Sequence, residues 1–250
     1  MTELDTERRL SQDQWIDRLS PDAQLALMLD SQAEASDAVR SALTQIAQAC
    51  DALYARLSRN KTGRLVYCGA GTSARIAVQD GAELRPTFNW PETRTSYIIA
   101  GGMGALTKAV EGAEDSENDA KDAVISAAIG GDDCVIGLAA SGQTGFTCAA
   151  LEAAQDAGAV TIAISNNPDS RLLANGTYQI VLATGAEALA GSTRLKAGTA
   201  QKICLNLIST QLMVRLGYVK DGLMTHMIPA NEKLRRRKQQ IEAMLAEHSR

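Results

Sequence analysis

Two short loops hold the residues best suited to chemistry. Gly69, Ala70, Gly71, Thr72, Ser73 and Ala74 follow the apolar run Leu65 to Cys68, and Ser141, Gly142, Gln143, Thr144 and Gly145 follow Cys134 to Ala140. Each loop sets glycines and hydroxyls between a run that reads as a buried strand and a segment that reads as a helix. A helix opening leaves its first amides unpaired and carries the positive end of the helix dipole. Amides, hydroxyls and that dipole together suit a phosphate. The same residue types also serve ordinary turns and caps, and Thr72 or Ser73 can cap the helix expected over 74–84. Two such loops at the carboxyl edge of one sheet favour a ligand, because that edge is where open α/β sheets bind them. A carboxylate, Glu83, stands at the far end of the expected helix, just before Arg85 and Pro86.

The first loop also satisfies the spacing GxGxxA of a dinucleotide site, a weak match on its own. The second strand of such a site should end in an acid for the ribose, yet Thr95 to Ala100 runs into Gly101 and Gly102. A monophosphate fits the hydroxyls equally well.

These loops need a frame, and the apolar pattern supplies one. Strands are predicted near 64–69, 95–100, 134–140, 159–165 and 178–183. Helices are predicted between them and over 105–110, 116–129, 146–157, 196–216 and 231–246. Strands that alternate with helices and are apolar almost throughout predict a parallel sheet covered on both faces. Residues 1–20 carry little periodicity. From Pro21 to Ser58 the apolar spacing is helical, with a long helix expected from about Gln32. Gly217 is placed to end the 196–216 helix.

Composition narrows the function. The chain has 250 residues, 45% hydrophobic and 4% aromatic, with a net charge of −4. A core of reasonable size can form, and a dedicated nucleic-acid binder is disfavoured. The basic run Arg235 to Lys238 reads as a solvated helix face. No apolar run reaches the roughly 20 residues that span a bilayer, so no membrane association is expected. The five cysteines are scattered without a CxxC, and the histidines are only His226 and His248. Reduced thiols in a cytoplasmic protein and no metal site are the expectation.

The segments GAGTSARIAVQDGAELRPTF, IIAGGMGALTKAVEGAEDSE, AASGQTGF, SNNPDS, ALAGSTRLKAGTAQKICLNLISTQLM and NEKLRRR occur in this order. Together they resemble the N-acetylmuramic acid 6-phosphate etherases, phosphosugar lyases of the sugar isomerase (SIS) domain superfamily. The resemblance covers residues from about 40 to 237. Ala74 and Gln143 stand where the family usually has glycine and arginine, and His226 stands where acids are common. The chain also stops where full-length members continue into a small helical region, which implies a short form.

What the resemblance implies is specific. The fold would be an SIS-type α/β three-layer sandwich, a five-stranded parallel sheet flanked by helices. The organisation expected for the chain is an N-terminal helical segment at 1–40, read from its own pattern, then the SIS domain at 41–220 and a C-terminal helix at 221–250. The activity would be cleavage of the D-lactyl ether of N-acetylmuramate 6-phosphate by elimination and hydration, with no cofactor. Glu83 matches the family's acid and Glu114 its base, the two expected to face each other across one pocket. Gly71, Thr72, Ser73, Ser141, Gly142, Gln143, Thr144, Ser192, Thr193 and Lys196 are the candidates for binding the phosphosugar. Lys196 would offer a positive charge to the phosphate or to the lactyl carboxylate. A homodimer is expected, with sites near its interface. Two other functions remain open: a sugar-phosphate-binding regulator without turnover, and a phosphosugar isomerase of the same superfamily.

Overall fold

The computed structural model describes residues 4–229 and 232–247. Five strands form one parallel sheet: β1 (Leu65–Gly69), β2 (Thr95–Ile99), β3 (Cys134–Ala139), β4 (Val160–Ser165) and β5 (Tyr178–Val181), in the order β2-β1-β3-β4-β5. In the register, Gly69 lies beside Leu138 and Ala139 beside Ser165, so the carboxyl ends of β1, β3 and β4 share one edge. The five-stranded parallel sheet flanked by helices that the sequence predicts is present.

Alternation along the strands builds two cores. Leu65, Tyr67, Ile136, Leu138, Ile162 and Ile164 face one side and pack with Leu53, Leu57, Cys204, Leu205, Ile208 and Leu212. Those helical residues belong to α2 (Leu43–Arg59) and α7 (Lys196–Arg215), which are joined there by α1 (Pro21–Ser41) and α3 (Gly71–Phe88). Val66, Cys68, Val135 and Ala163 face the other side, against Val124, Ala149, Leu151 and Leu172. These lie on α4 (Glu117–Ser126), α5 (Gly145–Asp156) and α6 (Arg171–Ala174). All five thiols are buried and free. A buried carboxylate, Asp80, accepts hydrogen bonds from Tyr67, Asn206 and Ser209 and so ties α3 to β1 and to α7.

Several local expectations are revised. The long helix from Gln32 is two helices divided at Ala42, and α1 opens at Pro21 with Ser20 as its cap. Residues 5–18 form three 3-10 turns, Asp5–Glu7, Gln12–Gln14 and Ile16–Arg18. The 105–110 helix is a single 3-10 turn, Met103–Leu106. Two-residue strands β6 (Val219–Lys220) and β7 (Leu223–Met224) form a hairpin after α7, with α8 (Glu232–Glu247) beyond. Helix α3 begins three residues earlier than predicted and continues through Pro86, ending at Asn89, whose φ is +55°. Among the described residues no helix is long and apolar enough to cross a membrane.

Candidate active site

A cavity of about 430 Å³ opens at the carboxyl edge, between the ends of β1 and β3. That volume suits a small phosphorylated sugar. Its floor is Ala70, Gly71, Thr72 and Ser73 on one side and Ala139, Ala140, Ser141 and Thr144 on the other. Two helices therefore aim their amino ends at it.

The details of each opening differ from a capped helix. Ala70 holds the cap position of α3 and has no side chain to donate or accept there. Thr72 and Ser73 lie inside the first turn, so neither is the cap and both line the cavity. Thr144 occupies the cap position of α5 without capping it, and it too lines the cavity. The Ser141 hydroxyl accepts a bond from the amide of Gln143 at 3.1 Å, which tightens the second loop. Dipole and free hydroxyls are thus available to an anion on both loops.

Glu114 forms the facing wall. It sits in the turn after the 3-10 segment, and its carbonyl accepts the amide of Phe146 at 2.9 Å, so the opening of α5 holds it in place. Its carboxylate comes so close to Gly71 that a Cβ added there would lie 2.9 Å from Oε1. Gly71 has a φ of +51°, a conformation that favours glycine. The base candidate and the first loop therefore touch.

Glu83 does not share this cavity. It lies exposed near the carboxyl end of α3, twelve residues beyond Gly71. At 1.5 Å per residue that is roughly 18 Å along the helix axis. The expected placement of Glu83 and Glu114 on facing sides of one pocket is therefore not found within a single chain.

The binding candidates divide in the same way. Gly71, Thr72, Ser73, Ser141, Thr144 and Thr193 line the cavity, whereas Gly142, Gln143, Ser192 and Lys196 do not. Gly142, at a φ of +67°, is turned inward, and its carbonyl accepts the amide of Leu172. Gln143 projects to solvent. Lys196 is buried with its ammonium 2.6 Å from Glu34 of α1. Its own amide and that of Ala197 donate to Glu187, whose buried carboxylate caps α7. Burial raises the Glu187 carboxyl above its ordinary range, against the two amides that lower it.

Three charged lining residues were not singled out from the sequence: Glu7, Arg75 and Lys108. Glu7 arrives on an arm whose neighbour, Thr6, is buried. The Thr6 amide donates to Asn167 Oδ1, Asn167 Nδ2 donates back to the Thr6 hydroxyl and to the Ala140 carbonyl, and Gly191 donates to the Thr6 carbonyl. The Glu7 carboxylate then lies against Gly191. Arg75, on the second turn of α3, donates to the carbonyls of Ala105 and Leu106.

The chemistry on offer is that of carboxylates beside a floor of helix openings and hydroxyls. Among the described residues no cluster of three or more potential ligands could hold a metal ion. The nearest thiol to the second loop, Cys148, is pushed up to about 11 by burial, so it is a poor nucleophile near neutral pH. His226 meets Tyr218 edge-to-face and bonds to Thr225, apart from the lining residues.

Comparison with known proteins agrees with this fold. Residues 45–155 match the model of the glucokinase regulatory protein N-terminal SIS domain, and residues 103–210 match that of the SIS domain. A phosphoheptose isomerase structure from Francisella tularensis superposes with a TM-score of 0.57 at 20% identity, over 80% of this chain and 100% of that one. The C-terminal domain of glucosamine-fructose-6-phosphate aminotransferase from the same organism superposes at 0.53 and 17% identity, over 91% and 56%. At such identities these structures speak for the fold alone. Closer in sequence is the N-acetylmuramic acid 6-phosphate etherase of Deinococcus radiodurans, 46% identical over 90% of this chain and 73% of its own length. That of Symbiobacterium thermophilum is 44% identical over 95% and 78%. With identity at that level across most of both sequences, the chain belongs to the N-acetylmuramic acid 6-phosphate etherase family.

Proposed function

We infer that this protein is a carbon–oxygen lyase that cleaves the D-lactyl ether of N-acetylmuramate 6-phosphate, releasing N-acetylglucosamine 6-phosphate and D-lactate. The observation that carries the reading is the Glu114 carboxylate set against Gly71, at the rim of a floor built from two helix openings. We assign the phosphate to that floor, with Thr72, Ser73, Ser141 and Thr144 as its hydroxyl donors. In the open-chain sugar the aldehyde acidifies the proton on C2. Glu114 takes that proton, the C3–oxygen bond breaks, and an acid protonates the departing lactate oxygen. Water then adds across the C2–C3 double bond, its hydroxyl to C3 and a proton to C2.

Glu83 matches the family's acid but lies toward the other end of α3. A second copy of the chain resolves the distance by presenting its own α3 end to this pocket. The exposed leucines Leu25 and Leu29 of α1, with Leu207 and Val214 of α7, give such a copy an apolar face to cover. The homodimer would bury more than about 1,000 Å². Five buried thiols without a disulfide suit a reducing cytoplasm.

The test uses two variants and one mixture. Glu114→Gln should abolish both lactate release and solvent exchange at C2, with a loss of about 10²–10⁴ in rate. Glu83→Gln should stop lactate release and spare C2 exchange. If each site draws Glu114 from one chain and Glu83 from the other, mixing and reannealing the two dead variants restores about a quarter of the parent rate, since half the dimers are mixed and each has one intact site. A mixture that stays dead refutes the shared site. Parent protein that binds the phosphosugar and releases no lactate refutes the lyase and leaves the regulator.

A further inference from the structure

A substrate with a phosphate at one end and a carboxylate on its C3 substituent needs two anion sites. The floor of the cavity supplies one. Helix openings and hydroxyls bind phosphate without a side-chain cation, and none of the floor residues carries a charge. The cations among the described lining residues are Arg75 and Lys108.

Arg75 is already engaged. Its Nε donates to the Leu106 carbonyl at 2.8 Å and its Nη2 to the Ala105 carbonyl at 3.2 Å. Those bonds fix the 3-10 turn that leads into Lys108. Lys108 is exposed and lines the cavity, and its ammonium has no hydrogen-bond or ion-pair partner among the described residues. Two carboxylates, Glu7 and Glu114, line the same space, yet neither comes within ion-pairing distance of it. An unpaired ammonium on a pinned wall, in a pocket that takes up a dianionic floor ligand, is suited to a second anion.

Position decides which anion. Lys108 and Glu114 lie six residues apart in one segment and line the same cavity. Glu114 acts at C2 in the reading above, and the lactyl group hangs from C3, one bond away. We propose that Lys108 binds the carboxylate of the C3 lactyl substituent and so selects the ether substrate over phosphosugars that lack it. The proposal rests on the lyase reading for the identity of the ligand. Lys196, the lysine that the sequence offers for this purpose, is held by Glu34.

The experiment compares two ligands that share the phosphate and the N-acetylglucosamine ring. Binding of N-acetylmuramate 6-phosphate and of N-acetylglucosamine 6-phosphate is measured by calorimetry in the Glu114→Gln background, where turnover does not interfere. Adding Lys108→Met should weaken the lactyl ligand roughly ten- to a hundredfold, the range for a hydrogen bond to a charged group, and leave the other unchanged. Lys108→Arg should retain most of the binding. In the otherwise unaltered enzyme, Lys108→Met should raise KM and weaken inhibition by D-lactate. Equal weakening of both ligands would assign Lys108 to the phosphate and overturn the proposal, as would no change in either. Failure of the parent protein to release lactate would refute the lyase reading alone, because the binding comparison does not depend on turnover.

Discussion

Replacing Gly71 with alanine probes backbone and chemistry at once. Gly71 opens α3 at a φ of +51°, where a non-glycine residue carries a penalty of about 1–2 kcal/mol. For a chain of this size each kcal/mol lowers the melting temperature by about 2–4 °C, so the variant should melt about 2–8 °C below the parent. The added Cβ would also sit 2.9 Å from Glu114 Oε1, where ordinary contact begins at 3.4 Å. The carboxylate must give way by about half an ångström. Since a 1 Å misplacement can reduce a rate about 10²-fold, a fall in kcat of about tenfold is expected, read as D-lactate formed per second at saturating substrate. Gly217→Ala is the control. Its φ is +86° and nothing lies within 4 Å of the added carbon. It should melt lower and release lactate at the parent rate. Gly71→Ala with an unaltered kcat would refute the argument that Glu114 reacts from this position. A rise in KM alone would move the effect to the phosphate floor.

Lys196→Met tests the reassignment of that lysine. Losing the bond to Glu34 should lower stability by about 1 kcal/mol or less, because Glu34 is largely exposed, and KM should stay within about twofold; a large rise in KM would return Lys196 to the site. Asp133 accepts two hydrogen bonds from the Arg64 side chain and one each from the amides of Arg64 and Gly130. Burial pushes its carboxyl up, but those bonds together outweigh burial and hold it below the usual range. A depressed pKa contributes stability that is present above the unfolded value, about 3.9, and is lost as pH falls through the folded one. Urea unfolding of parent and Asp133→Ala should therefore differ by about 3 kcal/mol at pH 7, with the gap closing below about pH 4. A gap that is constant from pH 7 to 3.5 would show that the ionised carboxylate contributes nothing.

The sheet was legible because β1, β3 and most of β4 are short apolar runs ended by glycine or a polar loop, and such runs need no distant information. The cavity floor was legible for the same reason: Gly71, Thr72, Ser73, Ser141 and Thr144 stand in the two loops that directly follow β1 and β3. What was missed depends on contacts made across the fold. Lys196 looks like a ligand for an anion until Glu34, 162 residues earlier, lies beside it. Glu7 stands in a segment without periodicity, and its place is set by Thr6 and Asn167. Helix α3 outlasts Pro86 because a proline in the last turn loses only one internal bond, so the breaker rule misjudged its end. The division of α1 from α2 at Ala42 has no glycine or proline to announce it. Glu83 was matched to a motif, yet a motif gives the identity of a residue and says nothing of which chain's pocket it serves.

The arm that carries Glu7 ties the assembly of the site to the order of synthesis. Thr6 leaves the ribosome early, and its seat on Asn167 follows 161 residues later. At about 5–20 residues per second, the arm waits on the order of ten to thirty seconds before it can dock. Gly191, its second anchor, comes later still. Strands β1 to β4 and the two loops that follow β1 and β3 are made within that interval. The wall that carries Glu7 is therefore set only after both glycine- and hydroxyl-bearing loops have been made.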